Sequence, residues 1–200
     1  MPLSSLFAVS KTQRLSRFVI AMGGLLGAGA IALLAATQAQ ALEKIRLISR
    51  FGTWPDLSVE ELNEFAATRQ PPQNIQKLID FVDFFTDIDE AQAHEYLTSE
   101  TSVNRDYLLE ASYTEVGERF YRLASNAIAV PDESDQTWVY LRDAMLTASD
   151  EEKASAIEFI QALDANTLEI DTEKFRETSE QIERDEDVMN FLRTAFPEIQ

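Results

Sequence analysis

The chain of 200 residues contains no cysteine and a single histidine, His94. The lack of cysteine excludes disulfides, thiolate metal sites and cysteine nucleophiles. One histidine is too few for a histidine-rich zinc centre. Basic residues are also scarce, because 17 Lys and Arg stand against 35 Asp and Glu. The resulting net charge of −18 opposes binding to nucleic acid. A hydrophobic fraction of 45% still suffices for a folded core.

The first 41 residues differ from the rest in charge and apolarity. Their charged residues are all basic: Lys11, Arg14 and Arg17. An uncharged run follows over residues 18–36, and then Ala39-Gln40-Ala41. This order is typical of a secretory signal peptide cleaved after Ala41. The run is also long enough to cross a bilayer, so a retained membrane anchor is the alternative. Both interpretations place residues 42–200, with a net charge of −21, on the exported side.

Residues 42–200 predict a mainly α fold: a single multi-helix domain with a minimal β element of two or three strands. Alternating apolar residues indicate strands at 44–50 and 167–171, which we expect to pair. Capping-box spacing at Ser58–Glu61 and again at Ser149–Glu152 predicts that a helix begins at each. Apolar residues at helical spacing indicate further helices over the ranges 74–85, 90–97, 107–109, 116–128 and 138–146. We assign residues 42–171 to the helical domain and residues 172–200 to acidic C-terminal helices that pack on it.

No set of residues predicts catalysis, a metal site or a cofactor site. A serine hydrolase needs a base beside an exposed nucleophile, and no Gly-x-Ser-x-Gly occurs. His94 is the sole imidazole and is predicted on a polar, exposed helix face. Two groups of acids could attract cations: Asp83, Asp87, Asp89 and Glu90, and the run 183–187. Neither has the glycine of an EF-hand loop, so helix capping and solvation explain them better.

Aromatic residues are expected to form the core: Trp54, Phe81, Phe84, Phe85, Phe120, Tyr121 and Trp138. Phe81, Phe84 and Phe85 lie too close together around one helix to point inward equally, so one of them could mark a contact surface. Gly117, near a helix start, predicts the close approach of another backbone segment. Arg119 and Arg122 are then expected to pair with acids.

Four segments of the chain carry a family resemblance: Leu57–Ala66, Tyr113–Phe120, Leu141–Ala144 and Thr167–Asp171. In order and spacing they resemble a cyanobacterial domain of unknown function that precedes α/β-hydrolase catalytic domains in many proteins. Glu115 stands where the family usually has proline. About thirty residues follow Asp171, so we expect no counterpart here of the hydrolase domain of those relatives, with its Ser, acid and His.

We therefore expect an exported, non-catalytic interaction domain in the periplasm or thylakoid lumen, docking a protein partner. Two alternatives remain open. One is an accessory or lid subunit of a separate esterase- or lipase-like hydrolase. The other is an acidic domain that binds cations or basic partners and is tethered to the membrane because residues 18–36 are retained.

Overall fold

Nine α-helices surround a small sheet in the computed structural model, which describes residues 42–50, 52–86 and 88–198. The helices are α1 (Val59–Thr68), α2 (Gln73–Thr86), α3 (Glu90–Thr98), α4 (Arg105–Ala111), α5 (Glu115–Ala124), α6 (Thr137–Ala148), α7 (Ala156–Ala162), α8 (Thr172–Arg184) and α9 (Glu186–Ala195). The strands are β1 (Lys44–Ser49), β2 (Gly52–Thr53), β3 (Leu57–Ser58), β4 (Thr101–Ser102), β5 (Ile128–Ala129), β6 (Lys153–Ala154) and β7 (Thr167–Asp171). A 3₁₀-helix, Pro131–Gln136, precedes α6. The predicted mainly α class is confirmed.

The predicted pairing of the first and last strands is also confirmed. β1 runs parallel to β7, with Lys44 opposite Thr167 and Ile48 opposite Asp171. The sheet has five strands instead of two or three, because β2 and β3 both return along β1 and β5 adds to β7. β4 and β6 form a separate antiparallel pair. Ile45 and Leu168, opposite each other in β1 and β7, are buried in the core.

Charged side chains link β1 and β7 to the loop before β3. Arg46 of β1 donates hydrogen bonds to Asp56, at 3.0 and 3.3 Å, and to Glu169 of β7, at 2.8 Å. Lys44 lies 3.3 Å from the same Asp56 carboxylate. Hydrogen bonds from Arg46 lower the pKa of Asp56 and outweigh the opposing effect of burial. The group ties the loop before β3 to the two central strands.

Side-chain caps fix several helix starts where the sequence placed them. Ser58 accepts from the Glu61 backbone N–H, and Glu61 accepts in return from the Ser58 N–H, which confirms the first capping box. Asp89 caps α3, and Asp185 caps α9. The second predicted capping box is wrong. Residues 149–152 form a turn that ends at Glu152 with φ +60°, and α7 is capped later by Ser155.

The end of one predicted helical stripe lies in a strand. The predicted helix over 116–128 ends at Ala124, and Ile128 lies in β5 opposite Ile170 of β7. Ile128 is buried all the same. A hydrophobic residue at the end of a helical stripe therefore faces the core from a strand, because the chain turns through residues 125–127 before entering the sheet.

The C-terminal helices complete the core. Ile182, Val188, Leu192 and Phe196 are almost fully buried. The Phe191 ring of α9 lies 5.5 Å from the Phe120 ring of α5. Arg119 of α5 lies 3.5 Å from Asp185 and 3.3 Å from Asp187, at the junction of α8 and α9. These helices are as much a part of the hydrophobic interior as the sheet.

Gly117 lies against the end of α4, as predicted. A Cβ built at this position would stand 2.2 Å from the Ala111 carbonyl oxygen and 2.7 Å from the Ser112 Cα. No side chain fits between the two backbones. The expected ion pairs of the neighbouring arginines are present, since Arg119 pairs as described above and Arg122 lies 2.7 Å from Glu118.

Several predictions fall on residues outside the described part of the chain. The leader of residues 1–41, Asp87 and the side chains of Asp83, Phe81, Phe84 and Phe85 belong to that group. Within the described ranges, no helix combines the length and the apolarity that crossing a bilayer requires.

Candidate interaction surface

His94 is a structural residue, which corrects its predicted place on an exposed face. Its side chain is buried, and its ring packs edge-on against Phe65 at a centroid distance of 5.5 Å. Nε2 lies 2.9 Å from the Ala66 carbonyl oxygen, and Nδ1 lies 3.2 Å from the Thr98 hydroxyl. Because a carbonyl can only accept, Nε2 carries the proton and Nδ1 is free to accept from Thr98. His94 thus satisfies a carbonyl in the last turn of α1 that has no partner within its own helix.

This geometry leaves no base for a Ser–His–acid triad in the chain. A triad needs one ring nitrogen toward a nucleophile and the other toward an acid. Both nitrogens of the single histidine instead contact a backbone carbonyl and a threonine on its own helix. A hydrolase serine is typically exposed at a sharp turn from a strand into a helix. At the turn from β7 into α8, Asp171 caps the helix and no serine is present.

Two buried hydroxyl groups also have structural partners. The Ser112 and Tyr121 hydroxyls lie 3.0 Å apart, and both side chains are about 1% exposed. Burial raises the pKa of Tyr121 far above its usual value, although the hydrogen bond to Ser112 opposes the shift. The pair joins the end of α4 to α5 and has no access to a substrate.

Two of the acids singled out in the sequence cap helices. Asp89 accepts from the Gln92 backbone N–H at 2.8 Å, and Asp185 accepts from that of Val188 at 3.2 Å. No group of three or more potential metal ligands occurs among the residues that the structure describes. A small apolar cleft between β1 and α2, lined by Leu47, Leu57 and Leu78, has a volume of about 30 Å³. Such a volume holds roughly one water molecule, far less than a substrate needs.

A row of aromatic rings and arginines extends over α5, α6 and the turn that precedes α5. The Arg142 guanidinium carbon lies 4.5 Å from the Tyr113 ring centroid and 5.5 Å from that of Trp138. Arg122 lies over the same Trp138 ring at 4.3 Å. Together these four residues form the aromatic–arginine surface. Each contact is a cation–π interaction that favours a fixed position of the two side chains.

The row is rigid at its centre and open at one end. The Arg142 side chain is only 15% exposed and donates to Asp143 at 2.8 Å. Tyr113 is 63% exposed in spite of its contact with Arg142. An aromatic ring that is held in place and still faces solvent loses little entropy when a partner covers it, which is the usual property of an interface anchor.

Sequence reasoning found only parts of this surface. Arg122 and Trp138 were noted separately, as an ion-pairing residue and a core residue. Trp138 is in fact half-buried, and its ring carries two arginines. Tyr113 and Arg142 belong to two of the segments that carry the family resemblance, and their contact spans 29 positions, so no local pattern could have revealed it.

A family model described as "Alpha/beta hydrolase of unknown function (DUF1400)" matches residues 41–171. The match includes β1 to β7 and ends before α8 and α9, although both of these helices contribute to the core. No curated protein and no solved structure matches the chain.

Proposed function

The chain belongs to the family described as alpha/beta hydrolase of unknown function (DUF1400), and we propose that it serves a hydrolase-related system without catalysing a reaction itself. The second reason for this proposal is that both ring nitrogens of its single histidine are hydrogen-bonded within the fold. In this proposal residues 42–198 form an exported interaction domain. The domain docks a protein partner through the aromatic–arginine surface. The observation that carries the proposal is the exposed Tyr113 ring, fixed on Arg142.

Two features support docking over catalysis. The polar groups that could act chemically, His94 and the Ser112–Tyr121 pair, are buried and satisfied within the fold. The aromatic–arginine surface is instead accessible and already ordered. Interfaces are enriched in tyrosine, tryptophan and arginine, because these side chains cover much area with few rotatable bonds.

The partner can be tested by crosslinking at the surface itself. A photoreactive benzoylphenylalanine replaces Tyr113 in the full chain, in the source cells, and a second variant carries it at the exposed Glu177 of α8 as a control. We expect a discrete crosslinked protein from position 113 that is absent from position 177. No specific product from position 113, or the same products from both positions, contradicts docking at this surface.

The family description favours a hydrolase as that partner. In this second candidate function, the chain is an accessory or lid subunit of a separately encoded esterase- or lipase-like enzyme. A crosslinked serine hydrolase, whose ester turnover changes when the chain is added, supports this role. A partner without hydrolase activity excludes it and leaves the interaction function standing.

Absence of catalysis has its own test. The full chain is expected to leave short-chain p-nitrophenyl esters intact. If it hydrolyses them, and if His94→Asn abolishes the activity, the non-catalytic proposal is wrong. An intact mass of the exported protein decides between a cleaved leader and a retained anchor, because cleavage after Ala41 removes residues 18–36.

A further inference from the structure

Two large apolar side chains stand out on the described surface, and they are neighbours. Leu109 is 42% exposed and Tyr113 is 63% exposed. They lie four positions apart, along α4 and the helical cap residue Ser112 that follows it. Residues at this spacing share one side of a helix. Leu109 therefore extends the apolar end of the aromatic–arginine surface.

The arginines of this surface already have acidic partners. Arg142 is mostly covered and bonds to Asp143 at 2.8 Å. Arg122 is paired with Glu118 at 2.7 Å. Their charges are locally neutralised, so the guanidinium groups act as flat supports for the rings.

The margin of the apolar pair is acidic. Glu110 follows Leu109 directly, Glu115 stands two residues after Tyr113, and both are exposed. The helix that carries Leu109, α4, contains one cation, Arg105, which already lies in an ion pair with Asp150. An apolar centre with a negative margin is complementary to an apolar anchor flanked by positive charges.

We propose that this surface receives a basic segment of a partner protein, with an aliphatic or aromatic anchor against Leu109 and Tyr113. Lysines or arginines of the segment face Glu110 and Glu115. This inference rests on the proposed docking function and adds the chemistry of the partner. The net charge of −18 steers such a segment toward the chain over distances of about one Debye length.

Three fluorescent helical peptides of about 15 residues test the pattern of apolar and charged groups. One has leucines on one face and lysines on the other, the second has glutamates in place of the lysines, and the third has serines in place of the leucines. Fluorescence anisotropy measures the binding of each to the full chain at low and at high salt. We expect the leucine–lysine peptide to bind at least about tenfold more tightly than the other two, and less tightly as salt rises.

Matched variants locate the binding. Tyr113→Ser is expected to weaken binding of the leucine–lysine peptide about tenfold, because it removes an exposed anchor ring. The double variant Glu110→Gln, Glu115→Gln should reduce both the affinity and its salt dependence. The double variant Glu173→Gln, Glu177→Gln removes two exposed acids from α8 and serves as the charge control, with no change expected.

Three results overturn the inference: equal or tighter binding of the leucine–glutamate peptide, equal losses in both double variants, or full affinity in Tyr113→Ser. Competition by uncharged phosphatidylcholine vesicles would also overturn it, since the apolar pair would then be a lipid contact. These failures leave the crosslinking result at position 113 unaffected. A crosslinked partner whose contacting segment is acidic refutes this inference alone, whereas the absence of any partner refutes the docking function as well.

Discussion

Gly117→Ala is the substitution whose effect the structure defines most sharply. Alanine favours a helix interior over glycine by about 1 kcal/mol, so helix propensity alone predicts a gain in stability. The structure predicts a loss. The added Cβ would lie 2.2 Å from the Ala111 carbonyl oxygen, whereas ordinary van der Waals contact begins near 3.4 Å.

The magnitude follows from what must move. Relief of this contact requires the two segments to separate by roughly 1 Å, and the atoms that resist are backbone atoms. Forced overpacking of this kind costs about 1–3 kcal/mol or more. The same movement strains the buried hydrogen bond between Ser112 and Tyr121, which is worth about 1 kcal/mol. After the gain in helix propensity, we expect a net loss of about 1–3 kcal/mol.

Urea unfolding of the full chain, followed by circular dichroism, measures this difference in free energy. A chain of this size should also lose roughly 2–12 °C in melting temperature. Glu115→Ala, in the first turn of the same helix, is the control, and its effect should stay below about 1 kcal/mol because the side chain is exposed. A Gly117→Ala variant as stable as the unsubstituted chain would refute the close approach of the two backbones.

Three further substitutions test the sheet, the core and the histidine. Asp56→Asn should lower the free energy of unfolding at neutral pH, because it removes the carboxylate that pairs with Arg46. Since Arg46 lowers the folded pKa of Asp56, the stabilisation by this pair is complete above the unfolded pKa of about 3.9 and is lost as the pH falls through the folded pKa. Urea titrations at several pH values will show this dependence. Phe196→Ala should cost about 3–5 kcal/mol in urea unfolding, because the ring is fully buried. His94→Ala should cost about 2–4 kcal/mol by thermal unfolding, since it opens a cavity and leaves the Ala66 carbonyl unpaired.

For each of these three predictions, one result would contradict it. If the free energy of unfolding of Asp56→Asn follows that of the unsubstituted chain at every pH, the pair of Asp56 with Arg46 does not stabilise the fold. Arg193→Ala, on the exposed side of α9, is the control for Phe196, and equal effects would mean that α9 does not pack on the core. A stable His94→Ala variant would contradict the structural role of the imidazole, with Glu95→Ala as its exposed neighbour control.

Local capping and apolar patterns in the sequence were sufficient to predict most of the helices. Ser58 and Asp89 cap α1 and α3 because a short polar side chain three residues before a free N–H offers the nearest partner. The same rule misplaced the start of α7, since Ser149 and Ser155 both have a glutamate three residues later. Ser149 donates to the Met145 carbonyl at the end of α6 instead, and that bond is set by the helix before it.

Long-range contacts limited what the sequence could reveal of the surface and of His94. The exposure of His94 depends on where α1 packs, and Ala66 is 28 positions away. The aromatic–arginine surface requires three helical segments to meet at one place. Tyr113 is an ordinary tyrosine in the sequence, and only its contact with Arg142 makes it a fixed ring.

The parallel pairing of β1 with β7 also determines the order in which the chain can become native during synthesis. Arg46 and Glu169 are 123 positions apart, so β1 leaves the ribosome long before its main partner exists. Closing so large a loop slows folding, and the waiting strand exposes backbone groups that can pair with another copy. A nascent polypeptide halted before Leu168 therefore leaves that edge of β1 open to pairing with a second copy.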